Sequence, residues 1–402
     1  MKTYQWSIVL LVAFGWLATV GAQPVEVVVR KPGVQENPTL RLESFSGPEE
    51  IGRLLNQTLR RCGWFRVVES GDADYRVRAV WSGDGERGRL RLGVADADQP
   101  ILDFATERPR PPRAAVYEAT DTLLKRLFEV PGIASARIAL VIGEGRSKDI
   151  YTINFDGSEP RRITNNNSIS TEPSWGGRGT ELLYYTYYEP MRMSVMSVDL
   201  RQARQRRVAR FNGLNSGARV SPDQRSLALC LSQDGAVDLY LMDLQSREKR
   251  RLTRDPAVSS SPTWSPDGQN LCYVSDRAGR PHLYLIPARG GQSSRLLRAF
   301  EEAVEPDWSR VSSQIAFSTR LGGGYAIAVV DMNPGEQRER RIVAQGGGDW
   351  ESPSWAPDGR HLVCVRRRGR QRQLVMVDTW LGTVTEITRP GHFELPDWSA
   401  LP

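Results

Sequence analysis

A short phrase, proline or its equivalent two residues before a tryptophan and then a turn and an apolar run, recurs along this chain at a nearly fixed interval. Aligned on the aromatic residue it reads "PSWGGRGTELLYY" at Trp175, "PTWSPDGQNLCYV" at Trp264, "PDWSRVSSQIAFS" at Trp308, "PSWAPDGRHLVCV" at Trp355 and "PDWSALP" at Trp398. "ARVSPDQRSLALC" fits the same frame with Val220 in place of the tryptophan. The steps are 45, 44, 44, 47 and 43 residues. A period in this range marks a propeller or a solenoid. Within one unit, Ser-Pro-Asp-Gly is a turn with proline at its second position and glycine at its fourth. The runs between turns, such as "NLCYVS" and "HLYLIP", are of strand length, rich in Val, Ile and Tyr, and cut by Gly and Pro. Helical repeats are thereby excluded, and four short strands joined by turns make one propeller blade.

The ends of the repeat set the blade count. "RIALVIGEGRSKDIYTINFDGSEPRRIT", Arg137 to Thr164, supplies three strands without a Trp-bearing opening strand, whereas "PDWSALP" supplies an opening strand with nothing after it. Joining the two fragments gives six blades and closes the ring, which removes exposed sheet edges. Trp175, Val220, Trp264, Trp308, Trp355 and Trp398 are then structural anchors.

Upstream the period is absent. "TLRLESF", "WFRVVES", "YRVRAVWS", "GRLRLGVAD" and "PILDFATER" read as strands, as does "VEVVVR" from Val25. One helix starts at Gly47-Pro48-Glu49-Glu50 and carries Ile51, Leu54, Leu55, Leu59 and Cys62 before Gly63 stops it. A second runs from about Arg113 to Phe128. The expected fold class is multidomain, α/β plus all-β: a small N-terminal α/β domain followed by a six-bladed β-propeller closed by the C-terminal strand. Its divisions are 1–22, 23–135 and 136–402. The first is a signal peptide, since Lys2 precedes the apolar run "SIVLLVAFGWLATV" and small residues stand before Gln23. The run is short for a hydrocarbon core of roughly 30 Å, and no later segment reads as a span, so export without direct membrane insertion is expected. Cys62, Cys230, Cys272 and Cys364 fall in helical or apolar runs and read as buried free thiols. The net charge of +7 comes mainly from arginine scattered along the chain, which does not point to nucleic acid.

The segments "DLYLMDLQSREKRRLT" (Asp238 to Thr253), "VSDRAGRP" (Val274 to Pro281), "GIASARIALV" (Gly132 to Val141) and the terminal "LPDWS" resemble the TolB family, the periplasmic propellers of the Tol–Pal cell-envelope system. The resemblance extends over nearly the whole chain after the leader. It implies a non-catalytic, monomeric adaptor in the periplasm with two partners. A Pal-like peptidoglycan-associated lipoprotein would bind the propeller mouth, where loops enter the inner strands. Those loops carry Glu172, Glu305, Asp307, Glu351, Glu394 and Asp397, with Asn215 and Ser260 in "LNSGARV" and "VSSSPTW", and they concentrate negative charge in a basic chain. A TolA-like inner-membrane protein would bind the N-terminal segment from Gln23 to Lys31, whose Val25, Val27 and Val29 suit strand pairing.

Catalysis would need a nucleophile, a base and an orienting acid. His282, His361 and His392 occupy different repeat positions, G-x-S-x-G is missing, and no close histidine pair suggests a metal. Catalytic, cofactor and metal residues are therefore expected to be none. The competing expectation is an exported propeller that takes a small ligand or cation at its acidic mouth.

Overall fold

The computed structural model describes residues 36–96, 99–176, 181–189, 192–298, 300–333 and 340–402. The leader and the segment holding Gln23, Val25, Val27 and Val29 lie outside the described residues. Six four-stranded antiparallel sheets form the propeller. Blade 1 is the composite one: Phe393–Trp398 is its inner strand and pairs with Arg137–Glu144, placing Glu394 opposite Val141 and Trp398 opposite Ile138. Ser147–Asn154 and Arg161–Arg162 complete it. The inner strands of blades 2 to 6 are Ser170–Gly176, Asn215–Val220, Ser259–Trp264, Ala303–Trp308 and Asp349–Trp355. The strand-exchanged closure and the six blades are as the repeat requires.

Each blade meets the next through its own apolar cluster. Trp175 packs with Val141 and Ile150 of blade 1, Trp264 with Leu239 of blade 3, Trp308 with Leu283 of blade 4, and Trp355 with Val329 of blade 5. Since a single blade cannot bury both faces of its sheet, the ring is the smallest unit that hides them all. The outermost strands remain as edges, and their composition guards them: Arg161 and Arg162, Arg204 to Arg207 around Gln205, Lys249 to Arg251, Arg340 and Arg341. Charged edge strands resist pairing with other chains. The quoted segment from Asp238 to Thr253 is explained here. Asp238 is buried and accepts hydrogen bonds from Arg251 and from the Thr253 hydroxyl, so the fourth strand is buttoned to the third. Asp149, Arg162 and Thr164 repeat the arrangement in blade 1. All four cysteines are buried and free.

The front domain is a five-stranded sheet of β1 (Thr39–Ser46), β2 (Arg66–Val67), β3 (Tyr75–Gly83), β4 (Gly88–Asp96) and β5 (Gln99–Ala105), in the order β2-β1-β3-β4-β5. Helices α1 (Glu49–Arg61) and α2 (Pro112–Phe128) complete it. In α1, Glu49 and Glu50 occupy the first turn and Arg60 and Arg61 the last, both favourable to the helix dipole. The run "WFRVVES" shrinks to two strand residues. Trp64 and Phe65 leave the sheet to stack against Phe128, with ring centroids 5.3 and 5.5 Å away.

This domain sits on the end of the propeller opposite the mouth, across the seam between blades 6 and 1. One continuous cluster joins Leu55, Leu59 and Leu123 of the domain to Val363 and Met376 of blade 6 and to Ile138 and Trp398 of blade 1. Trp64 Nε1 donates to Asp358 Oδ2 at 2.9 Å, and Arg360 donates to Asn37 Oδ1 at 2.7 Å. The Arg360 guanidinium lies 4.6 Å from the Trp64 ring and 4.7 Å from that of Trp380. Asp121 of α2 accepts from the amides of Ala134 and Ser135 and so pins the linker. Gly132 is required there, because a Cβ would stand 2.0 Å from Asp121 Oδ1.

His361 lies in this interface, 2.6 Å from Asp358 Oδ2 and 3.7 Å from Asp378 Oδ2. Burial pushes its imidazole down, but the two carboxylates outweigh burial and raise it to about 9.

Two predictions follow from the seam. Deleting Pro396 to Pro402 removes the anchor half of the inner strand of blade 1, Trp398 included, so thermal unfolding should begin well below the parent's and aggregation should increase; an unchanged melting curve would contradict the closure. For His361, a folded pKa raised above the ordinary 6.5 means that its stabilising contribution is complete below about pH 6.5 and disappears as pH rises through about 9. His361→Gln should therefore lower the melting temperature below about pH 6.5, and the gap to the parent should close above about pH 9, as read by calorimetry across that range.

Candidate partner-binding mouth

Every inner strand carries a bulge three residues before its anchor. Glu172, Ser261, Glu305, Ser352 and Leu395 all have φ near +50°, and Gly217 has φ +62°. The first five each precede a proline, a context that favours extended backbone. A non-glycine residue held at positive φ costs roughly 1–3 kcal/mol. The strain coincides with a function in the ring. Glu172 Oε2 accepts from the Gly217 amide of blade 3 at 2.9 Å, and Glu305 Oε2 accepts from the Ser352 amide of blade 6 at 2.7 Å. Glu172 also accepts from the Thr186 hydroxyl, and Glu305 from those of Ser318 and Ser352. These two mouth carboxylates latch neighbouring blades together.

One position before the anchor, the ring alternates between charged and hydroxyl side chains. Blades 1, 3 and 5 present Asp397, Arg219 and Asp307; blades 2, 4 and 6 present Ser174, Thr263 and Ser354. Asp397 accepts from the Trp175 amide and Asp307 from the Trp355 amide, both at 2.7 Å. Thr263 and Ser354 do the same for Trp308 and Trp398, at 3.0 and 2.9 Å. The indoles follow the same alternation. Those of Trp175, Trp264 and Trp355 donate to the carbonyls of Asp397, Arg219 and Asp307 in the preceding blade. The indole nitrogens of Trp308 and Trp398 have no hydrogen-bond partner. Val220 replaces tryptophan in that second set, where the indole would have served packing alone.

These residues line the central channel. A cavity of about 210 Å³ is bounded by Glu172, Gly217, Ser261, Glu305, Ser352 and Leu395 with their neighbours, and a second of about 220 Å³ lies deeper against Trp175, Trp264 and Trp308. Arg219, Asp307 and Asp397 border both. Arg219 Nη2 stands 4.0 Å from Asp397 Oδ1. Burial, reinforced by the Asp397 carboxylate, lifts the Asp307 carboxyl to about 6, against the Trp355 amide, Arg219 and Arg310.

The remaining mouth residues are spread among other tasks. Glu351 is ion-paired with Arg367 at 2.7 Å. Glu394 pairs with Lys148 at 2.5 Å and with Arg372 at 3.1 Å. Asn215 is fully buried and closes its own loop, accepting from the Phe211 amide and donating to the Phe211 and Gly213 carbonyls. Ser260 is half-buried beside the bulge of blade 4. The structure thus gathers Glu172, Glu305, Asp307 and Asp397 around the channel and sets Glu351 and Glu394 among cations at its rim. Arg219, Lys148, Arg367 and Arg372 are the members that the acidic pattern of the loops did not disclose. Among the described residues no group of three or more His, Cys, Asp or Glu side chains is placed to hold a metal ion, and no helix is long and apolar enough to cross a membrane.

A family model, the TolB beta propeller domain, matches residues 125–402. The chain belongs to the TolB family. Among its relatives, the Tol-Pal system protein TolB of Desulfotalea psychrophila is 34% identical over 126 residues, covering 31% of this chain and 28% of that protein. The protein of the same name from Bordetella parapertussis is 26% identical over 248 residues, 54% of each chain. The matched regions thus span between about a quarter and a half of these relatives' lengths. The crystal structure of TolB from Acinetobacter baumannii superposes with a TM-score of 0.82, 22% identity, and coverage of 93% of this chain and 99% of that one. At that identity the likeness shows the fold, front domain and propeller together.

Two substitutions distinguish latch from rim. Glu305→Ala strips an acceptor from the Ser352 amide and two hydroxyls and should cost about 1–3 kcal/mol, whereas Glu351→Ala removes a partly exposed pair and should cost under about 1 kcal/mol; chemical denaturation reads both, and equal costs would contradict the latch. Asp307→Asn keeps an acceptor for the Trp355 amide while removing the charge. Because the folded carboxyl is raised from 3.8 to about 6, its stabilising contribution is complete below 3.8 and is lost as pH rises to about 6. The variant should then melt higher than the parent above about pH 6 and show no gain below about pH 4.

Proposed function

We propose that this chain is a non-catalytic periplasmic adaptor of the Tol–Pal system, bridging a Pal-like peptidoglycan-associated lipoprotein at the propeller mouth and a TolA-like inner-membrane protein at the segment from Gln23 to Lys31. In that role it maintains outer-membrane integrity and supports cell division. Membership of the TolB family carries the reading. The mouth geometry supports it, since strained inner strands and a polar channel form a shaped surface whose Glu172 and Glu305 carboxylates hold neighbouring blades in place. The exported leader expected at residues 1–22 is consistent with the periplasm.

The competing reading, a propeller that takes a small ligand or cation in its channel, draws on Asp307 and Asp397 facing the cavities. Calorimetric titration of the purified protein with calcium and with magnesium distinguishes the two: strong cation binding in a protein that captures neither partner would favour it.

For the adaptor reading, the expected outcome is that the mature protein captures the soluble domain of its own organism's peptidoglycan-associated lipoprotein. Removing Gln23 to Lys31 should abolish capture of the TolA-like protein while leaving lipoprotein binding and the melting temperature unchanged. Failure of the intact protein to capture either partner would refute the adaptor role.

A further inference from the structure

With the exception of Glu144, the acidic residues at the mouth of blades 5, 6 and 1 are engaged within the chain, and most of the charge left over is of the other sign. Asp349 and Glu351 are held by Arg367, Glu394 by Lys148 and Arg372, and Glu386 by Arg366. Glu302 accepts from the Tyr325 hydroxyl, and Glu305 is engaged with Ser352. Five exposed arginines on the same face have no carboxylate partner among the described residues: Arg146, Arg320, Arg368, Arg370 and Arg389. Arg146, Arg320, Arg368 and Arg370 stand on or beside the hairpins joining the second and third strands of blades 1, 5 and 6, and Arg389 lies in the loop that leads into Phe393–Trp398. Arg368 is oriented by a hydrogen bond from its Nε to the Gly347 carbonyl. The nearest unpaired acid, Glu144, has only His392 beside it, at 3.5 Å.

Beside Arg368, and next in sequence to Arg320 at Leu321, the surface opens into a groove of about 480 Å³. Its lining includes Gly322, Gly324, Gly346, Gly347 and Gly348 from loops of blades 5 and 6, with Tyr325 and the Asp349–Arg367 ion pair. A Cβ at Gly322 or Gly346 would meet no atom within 4 Å, so the backbone is bare to an approaching chain. Leu321 is 44% exposed at one end. Guanidinium forks match carboxylates in a bidentate geometry that lysine cannot reproduce. The remaining observations suit a chain segment: exposed backbone on the floor, one apolar contact on the blade 5 side, and arginines on the blade 6 side.

We propose that the rim of blades 5, 6 and 1 docks an acidic segment of a protein partner, with Asp or Glu side chains against Arg320, Arg368 and Arg370 and an apolar side chain against Leu321. The proposal rests on the reading of the mouth as the lipoprotein-binding face, and it assigns the sign of the charge that the partner brings there. Matched rim charge governs encounter rate and salt dependence.

The test uses the mature protein and a variant carrying Arg320→Glu, Arg368→Glu and Arg370→Glu. The first probe is the soluble domain of the same organism's lipoprotein. The expected result is an affinity that falls with added salt in the parent and is at least about tenfold weaker in the variant, with a shallower salt dependence. Unchanged melting temperature shows that the variant is folded. If the parent binds the lipoprotein and the variant binds it equally well, the arginine rim is refuted while the adaptor reading stands. If the parent does not bind the lipoprotein, a fluorescein-labelled oligoglutamate peptide is the second probe. Salt-sensitive binding of that peptide by the parent and not by the variant upholds the acidic-segment rim without the adaptor. Absence of peptide binding, or binding by the parent only to phosphatidylglycerol vesicles, overturns it.

Discussion

The contact between each anchor residue and the blade before it is the interaction on which this molecule depends. A four-stranded blade has two apolar faces and no means of covering either, so stability belongs to the interfaces. The anchor does three things at once. Its side chain fills the seam, in blades 1, 2, 5 and 6 its amide is taken by a side chain of the preceding blade, and in blades 2, 4 and 6 its indole nitrogen reaches that blade's backbone. The ring is thereby a closed cycle of packed anchors, most of them also hydrogen-bonded to the blade before. It is completed by exchanging one strand between the C-terminus and blade 1.

The front domain is placed where that cycle is most vulnerable. Its core is continuous with the cluster between blades 6 and 1 and includes Ile138, Leu140 and Trp398, so the non-covalent pairing of Phe393–Trp398 with Arg137–Glu144 inside blade 1 gains a second layer of apolar contacts. The turn aspartates show how the site is made. In blades 3 and 4, Oδ1 of Asp223 and Asp267 accepts from Ser221 and Ser265 within the Ser-Pro-Asp turn. In blade 6 the serine is Ala356; Asp358 Oδ1 caps the amides of Arg360 and His361, and Oδ2 takes the Trp64 indole and the His361 ring. The same turn aspartate thus serves as a domain contact through its second oxygen.

The opposite face shows how charge counted along a sequence differs from charge presented at a surface. Glu172 and Glu305 hold blades together, Glu351 and Glu394 are countered by cations, and the exposed remainder on blades 5, 6 and 1 is arginine. This division commits the inner ring to rigidity and leaves the outer rim most of the charge that is not engaged within the chain. It also separates mutations that unfold the ring from mutations that alter recognition.

The repeat period, its turn residues and the complementary fragments at its ends determined the six-bladed ring and the strand that closes it, because each depends on local pattern and on counting. The two front helices and most of the front sheet were equally legible from periodicity and end signals. What the sequence could not show was which way the side chains at the mouth would turn. The proline after Glu172 or Glu305 is visible in the string, but the left-handed backbone before it exists only because the neighbouring blade supplies an amide to receive the carboxylate. Trp64 read as part of a strand, and only the packed interface with Phe128, Asp358 and Arg360 draws it out. Arg219 is one basic residue among many in the chain, and its place between Asp307 and Asp397 arises from bringing alternate blades to a common axis. Local periodicity is written in neighbours along the chain; the partner of a mouth residue is some forty-five positions away, and tertiary closure alone selects it.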